Sequence, residues 1–229
     1  MRPISFKRHR FPPAIIRHAI WLYARFTLSF RDVEELLAER GIDASYETVR
    51  RWFLKFGPSI AANICRSRPR PSDHWHLDEM VISIRGGKYW LWRAVDNEGE
   101  VLDFLVQRRR DAQAAKKLMV KLLKKHGFTP SRVVTDRLRS YPAAFRAIGL
   151  TAEHDRGLRA NNRAENSHQP IRRRERKLQR FKSPGSAQRF LAVHAATFNV
   201  FTHHRHLLRR PHFKELGSFH TWAWASATA

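Results

Sequence analysis

Acidic residues are scarce in this chain of 229 residues: 20 Asp and Glu stand against 44 Lys and Arg, a formal net charge of +24. A folded chain with that excess carries self-repulsion, and its charge points to a polyanionic partner, nucleic acid first and an anionic membrane surface second. Cysteine occurs once, at Cys65, which excludes an intramolecular disulfide and any zinc site built on several thiolates. Long apolar runs are also missing. The longest, such as residues 19–24 (AIWLYA), reach six residues, far short of the roughly 20 that span a bilayer. Membrane insertion is therefore excluded. The opening segment MRPISFKRHRFPP has no apolar signal core and no small-residue cleavage site, so a cytoplasmic protein is expected. No internal repeat or low-complexity tract is present. What the chain does have is 42% hydrophobic residues, 7 Trp and 15 Phe, enough to bury a core and to exclude a disordered basic tail.

The length fits one large or two small domains. The clearest seam is residues 66–73 (RSRPRPSD), with two prolines, three arginines and no apolar residue, which reads as a linker. Before it the apolar spacing is helical. Pro12 and Pro13 suit the start of a helix over 12–26, and Val33, Leu36 and Leu37 share one face of a second over 30–40, ended by Gly41. Ser45 can cap a third helix, 46–56, with Gly57-Pro58 as its stop. This is a helix-turn-helix pattern. Its third helix turns Val49 and Phe53 inward and Arg50, Arg51 and Lys55 outward, as a recognition helix in a major groove would. A plain three-helix unit with a solvated basic face is the alternative.

After the seam the pattern turns to strands: 74–84, 88–97 and 101–110, joined by turns at Gly86-Gly87 and Asn97-Glu98-Gly99. An amphipathic helix over 111–126 follows, then a buried strand (131–136), a short helix (140–149) and a possible fifth strand (150–155). A basic helix over 161–178, interrupted near Pro170 or formed in two pieces, and a last helix over 186–208 complete the reading. The order β-β-β-α-β-α-β-α predicts an α/β, ribonuclease H-like (retroviral integrase-like) core behind an N-terminal all-α helix-turn-helix domain. The expected division is 1–65, linker 66–73, core 74–184, and a C-terminal helix and tail over 185–229.

With so few carboxylates, those in apolar strands stand out. Asp78 lies in the first strand and Asp136 at the carboxyl end of VVT, where ligands gather in open α/β sheets. Two acids on adjacent central strands repel unless a cation lies between them, and a hard divalent ion such as Mg²⁺ suits oxygen ligands and phosphates. Pairing of each acid with an arginine is the simpler alternative. Glu165 falls near the start of the basic helix, with His168 one turn and Arg172 two turns later on the same face. Three carboxylates can hold two ions about 3.5–4 Å apart for in-line phosphodiester displacement. A helix ion pair between Glu165 and Arg172 or its neighbours is the plainer reading.

These residues resemble the DDE transposases of bacterial insertion sequences, specifically the IS6 family. The resemblance runs over nearly the whole chain, through SYETVRRWF (45–53), WHLDE (75–79), KYWLWRAVD (88–96), VVTD (133–136), NNRAENSH (161–168) and RFKS (180–183). It implies catalytic and metal-binding roles for Asp78, Asp136 and Glu165, with His168 and Arg172 in support. The segment between Asp136 and Glu165 is 28 residues, shorter than the family's usual spacing, which makes Glu175 the rival third acid. Arg172 stands where the family tends to have lysine. Glu79, beside Asp78, points to the other face of its strand, and the family pattern favours Asp78.

The resemblance further implies binding of the element's terminal inverted repeats, strand cleavage to free a 3′-hydroxyl, and transfer of that hydroxyl to target DNA. Two Mg²⁺ ions, with Mn²⁺ as substitute, are the implied cofactors. Double-stranded DNA and further copies of the chain in a homo-oligomer are the implied partners, with a cytoplasmic, nucleoid-associated location. From Arg156 to Lys182 the chain has ten Lys and Arg and two acids. Arg172, Arg173, Arg174, Arg176, Lys177, Arg180 and Lys182 are expected to form a phosphate track beyond Glu165, rather than only a solvated helix face. His203, His204 and His206 read as a surface cluster. A DNA-binding regulator without catalysis and a nuclease that cuts without joining are the competing functions.

Overall fold

The structure, a computed structural model, describes residues 2–157, 160–201 and 210–229, with side chains for 2–157, 160–201 and 218–229. The histidines at 203, 204 and 206 lie outside the described residues. Two compact units form: residues 1–68 with 189–229, and residues 69–188.

The first unit contains α1 (Pro13–Arg25), α2 (Phe30–Ala38) and α3 (Tyr46–Arg66). Proline stands at the first turn of α1, where its missing N–H costs nothing. A reciprocal capping box between Ser29 and Asp32 starts α2, and the Ser45 hydroxyl accepts the Thr48 N–H at the start of α3. Gly41, at φ 70°, turns the chain between α2 and α3 in a conformation that costs glycine little. Val33, Leu37, Val49 and Phe53 are buried, and the Tyr23 ring stacks on Phe30 (4.0 Å) and meets Phe53 edge-on (4.7 Å).

α3 does not stop at Gly57-Pro58 but continues to Arg66. Gly57 serves a close approach instead of a stop: a Cβ there would lie 3.1 Å from Val193 Cγ2. Pro58 leaves the carbonyl four residues back without its helical donor, and that residue, Leu54, is exposed enough for water to replace it. Burial of Phe56, Ile60, Ala61 and Ile64 offsets the cost, at about 1.5–3 kcal/mol for each large apolar side chain.

Residues 189–229 do not stand apart as a tail. Phe190 on α7 (Pro184–Phe201) meets Tyr23 at 6.2 Å, Asn63 Nδ2 donates to the Ala227 carbonyl, and the Ile4 N–H donates to the Ala229 carbonyl. α8 (Arg210–Ala227), unforeseen in the sequence, buries Trp224 and exposes Trp222.

The second unit is built on a five-stranded sheet. Its strands are β1 (His74–Ile84), β2 (Gly87–Asp96), β3 (Val101–Gln107), β4 (Arg132–Thr135) and β5 (Glu153–Asp155), in the order β3-β2-β1-β4-β5. β1, β2 and β3 form an antiparallel meander, and β1, β4 and β5 run parallel. This is the ribonuclease H-like arrangement expected from the element order. α4 (Ala112–His126) and α5 (Ser140–Arg146) bury Ala115, Leu118, Leu122, Tyr141 and Ala144 in one core with Trp75, Leu77 and Trp92. Asp111 caps α4, and Gly127, at φ 72°, ends it.

α6 (Asn162–Lys177) packs on β1 and β2. It runs through Pro170 without a break. The carbonyl that Pro170 leaves without a partner belongs to Asn166, which is exposed.

Candidate active site

The site grows from alternation along β1. Trp75 and Leu77 enter the α4–α5 core, so Glu79 shares that face and Asp78 takes the other. The parallel register pairs Leu77 with Thr135 at the end of β4. The next residues, Asp78 within β1 and Asp136 just past the end of β4, therefore lie side by side. Carboxylate oxygens of Asp78, Glu79 and Asp136 lie within 4.8 Å of one another. Asp136 also accepts the Leu138 N–H at 2.9 Å, which fixes the chain as it leaves β4.

Asp78 and Asp136 thus meet as the sequence suggests, while Glu79 joins them despite its opposite face. Its carboxylate accepts from Arg110 Nε and from the Tyr141 hydroxyl, both at 2.7 Å. Burial pushes the Glu79 pKa up to about 7, overriding the Tyr141 and Arg110 bonds that favour its charge; the neighbouring Asp136 adds to the rise. Burial opposes the Arg110 charge, yet the bond to Glu79 holds its pKa above the ordinary value. Burial and the adjacent Glu79 raise the Tyr141 pKa, so its proton stays on the phenol as donor. Arg110 also approaches Asp136 at 3.6 Å. Three acids of one sign this close, with one arginine among them, form a site that fits a divalent cation.

α6 closes the Asp78 face. At its N-terminus Asn161 Nδ2 donates to the Leu77 carbonyl at 2.8 Å, tying the helix to β1 beside Asp78. One turn after Glu165, His168 Nε2 lies 3.0 Å from Asp78 Oδ2, with the imidazole buried. Glu165 itself is exposed and stands outside the three-acid group. The rival, Glu175, is engaged elsewhere: it accepts the Ser83 N–H at 2.7 Å, five residues along β1 from Asp78. Of the stripe Glu165, His168 and Arg172, only His168 reaches Asp78.

The basic stretch after Glu165 divides. Arg172, Arg176 and Arg180 line an open groove of about 610 Å³ with Val81 and Glu175. Arg173, Lys177 and Lys182 are exposed as well. Arg174, expected among the DNA contacts, is 2% exposed. It lies one turn after buried Ile171 and faces the sheet with it, so it is removed from the phosphate track.

Five residues of this neighbourhood were given no role from the sequence: Arg110 and Tyr141, and also Arg93, Asn161 and Ser167, which lie inside the motifs KYWLWRAVD and NNRAENSH. Arg93 faces Asp78 across β1 and β2 in the register and is fully buried. Its Nε donates to Ser167 Oγ at 3.0 Å, while both terminal nitrogens lack a hydrogen-bond partner among the described residues. Burial lowers its pKa to about 9, which leaves it charged at neutral pH. The available signal was an arginine inside an otherwise apolar strand, LWRAV.

The strand order and the paired acids at its centre define a ribonuclease H-like protein with an acid cluster suited to a divalent metal. Comparison with known proteins narrows this. The family model of the IS240-type transposase DDE domain matches residues 72–204. Over 179 residues the chain is 32% identical to a transposase for the insertion sequence-like element IS431mec of Staphylococcus aureus, covering 76% of this chain and 80% of that one. It is 31% identical, over the same shares, to the transposase for insertion sequence element IS257 in transposon Tn4003 of the same species. The chain belongs to the IS6 family of DDE transposases. Among solved structures, the HTLV-2 integrase catalytic core domain in complex with magnesium overlaps with a TM-score of 0.43 at 15% identity, over 57% of this chain and 86% of that one. No helix among the described residues is long and apolar enough to cross a membrane.

Proposed function

We propose that this transposase binds the terminal inverted repeats of its element and cleaves and joins DNA strands with Asp78, Asp136 and Glu165 as its catalytic acids. The observation that carries the reading is the convergence of Asp78 and Asp136 at the sheet centre, with α6 bound to Asp78 through His168 one turn from Glu165. Asp78 and Asp136 supply the fixed carboxylates. Glu165, one turn before His168 on α6, completes the site when DNA is bound. Two divalent ions, Mg²⁺ or Mn²⁺, held by these acids would activate the attacking oxygen and stabilise the leaving one.

Asn161 and His168 hold the start of α6 on β1, so Glu165 is carried on a rigid element. Tyr141 and Arg110 satisfy Glu79 and leave Asp78 and Asp136 as the acids facing substrate. Hydrolysis at the element end breaks a P–O bond, leaving a 3′-hydroxyl and a 5′-phosphate that carries the water oxygen. In transfer, the 3′-oxygen bonds to a target phosphorus as that phosphorus releases its own 3′-oxygen. Arg172, Arg173, Arg176, Lys177, Arg180 and Lys182 hold the DNA backbone beyond Glu165, and Arg50, Arg51 and Lys55 on α3 face the repeat.

A homo-oligomer that holds two element ends, acting in the cytoplasm on nucleoid DNA, completes the proposal. The test is cleavage of a duplex carrying one terminal repeat in Mg²⁺. Asp78→Asn and Asp136→Asn should bind the duplex and fail to cut it; cutting at the wild-type rate by either variant refutes the assignment.

A further inference from the structure

The N-terminal segment MRPISFKRHRFPP has no part in the acid centre and precedes the helix-turn-helix. In the structure residues 2–12 form an arm fixed on α3. Phe6 is buried, with its ring 4.6 Å from Phe56 of α3, and Phe11 meets Trp52 of α3 edge-on at 5.3 Å. Between these anchors His9 sits 5.1 Å from Phe56, and Lys55 Nζ donates to His9 Nε2 at 2.9 Å. Burial and the Lys55 charge both lower the His9 pKa, which keeps the ring a neutral acceptor.

The residues alternating with these anchors are cations. Lys7, Arg8 and Arg10 are exposed, and none has a carboxylate partner among the described residues. Arg8 adopts φ 64°, a left-handed conformation uncommon outside glycine. Along the helix, Arg51 and Lys55 are four residues apart and share one face. Lys55 bonds the arm, so Lys7, Arg8 and Arg10 extend the cationic face that begins at Arg51. The arm also borders Ser45, Thr48 and Trp52 at the start of α3, with one acid, Asp43, which makes no ion pair with the arm among the described residues.

We infer that residues 7–10 form a second DNA-binding element, in which Lys7, Arg8 and Arg10 grip the phosphate backbone beside the site faced by α3. The inference rests on the proposed reading of α3 as the recognition helix. Charge complementarity selects the ligand: three exposed cations, held by two aromatic anchors instead of hanging free, lose little entropy on meeting a polyanion. Counterion release at each neutralised phosphate then supplies the affinity. Contacts of this kind position a protein on the duplex without reading its sequence.

The experiment measures binding of the full chain to two duplexes of equal length, one carrying a terminal repeat and one with that repeat scrambled, from 50 to 200 mM salt. The variants are Lys7→Ala/Arg8→Ala/Arg10→Ala, Arg51→Ala, and a charge-matched control, Lys117→Ala/Lys124→Ala/Arg146→Ala, on exposed positions of the second unit. The arm variant should lose affinity by the same factor on both duplexes, and its log–log salt slope should become shallower by about 0.9 for each phosphate released. Arg51→Ala should lose mainly on the repeat. An arm variant with affinity and slope matching the control, beside an Arg51→Ala that loses repeat binding, overturns the arm while leaving the recognition helix standing. A loss confined to the repeat overturns the phosphate assignment. If neither the arm variant nor Arg51→Ala changes binding, both readings fail.

Discussion

Replacing Arg93 with methionine should leave the core fold intact or strengthen it, while strand cleavage falls. Arg93 is fully buried opposite Asp78, and its terminal nitrogens have no hydrogen-bond partner among the described residues. Burial lowers its pKa from the ordinary guanidinium range to about 9. The folded-state value lies below the unfolded one, so the charge costs stability throughout the neutral range. That cost is relieved only as pH climbs past about 9. At 1.36 kcal/mol per pH unit, the cost is about 5 kcal/mol at most. Methionine removes the charge and also the Ser167 bond, about 1 kcal/mol. Ser167 Oγ still donates to the Ala164 carbonyl at 2.6 Å. The smaller side chain gives back a further 1 kcal/mol or so in packing, leaving a net gain of up to about 3 kcal/mol. Amide hydrogen exchange of β2 and α6 at pH 7 in chelator reads this unit without assuming that the whole chain unfolds in one step. Equal or slower exchange, with cleavage reduced at least tenfold, is the expected pair of results. Exchange faster by the equivalent of 2–5 kcal/mol, the usual cost of truncating a well-packed core side chain, would show that the guanidinium is compensated and would sink the reasoning.

Other substitutions separate the parts of the account. Tyr141→Phe should cost about 1.5–3 kcal/mol, as for a hydrogen bond to a charged group, and push the Glu79 pKa above its present value of about 7; urea denaturation and carboxyl NMR titration check the two. His168→Ala removes a contact to Asp78 and should weaken Mn²⁺ binding about 10–100-fold, measured by paramagnetic resonance, with duplex binding unchanged. Phe53→Ala in the helical unit should cost about 3–5 kcal/mol and lower the thermal midpoint of that unit, followed by circular dichroism.

The β-β-β-α-β-α-β-α order was legible because alternation, turn glycines and helix caps are local signals, and each of them agrees with the sheet that forms. Pro58 and Pro170 misled because a proline's local cost can be offset by burial elsewhere, or by water at an exposed carbonyl. Gly57 reads as a stop in sequence, but in space it is where α3 approaches Val193. Asp78 and Asp136 were visible as acids in apolar strands. The roles of Arg110, Tyr141 and Asn161 were not, because they arise from long-range contacts: Arg110 and Tyr141 lie 31 and 62 residues from Glu79, and Asn161, though inside the motif NNRAENSH, lies 84 residues from Leu77. Arg174 was misplaced because a run of arginines hides its helical period, and the fourth residue of IRRR returns to the buried face of Ile171.

The most direct test of the central claim is single-turnover cleavage, in Mg²⁺, of a duplex carrying one terminal repeat, with wild type, Glu165→Gln and Glu175→Gln compared at saturating protein. Glu165→Gln should bind the duplex normally and cut it at least about 100-fold more slowly. Glu175→Gln, whose amide oxygen can still accept the Ser83 N–H, should cut at close to the wild-type rate. Wild-type cleavage by Glu165→Gln would contradict the account.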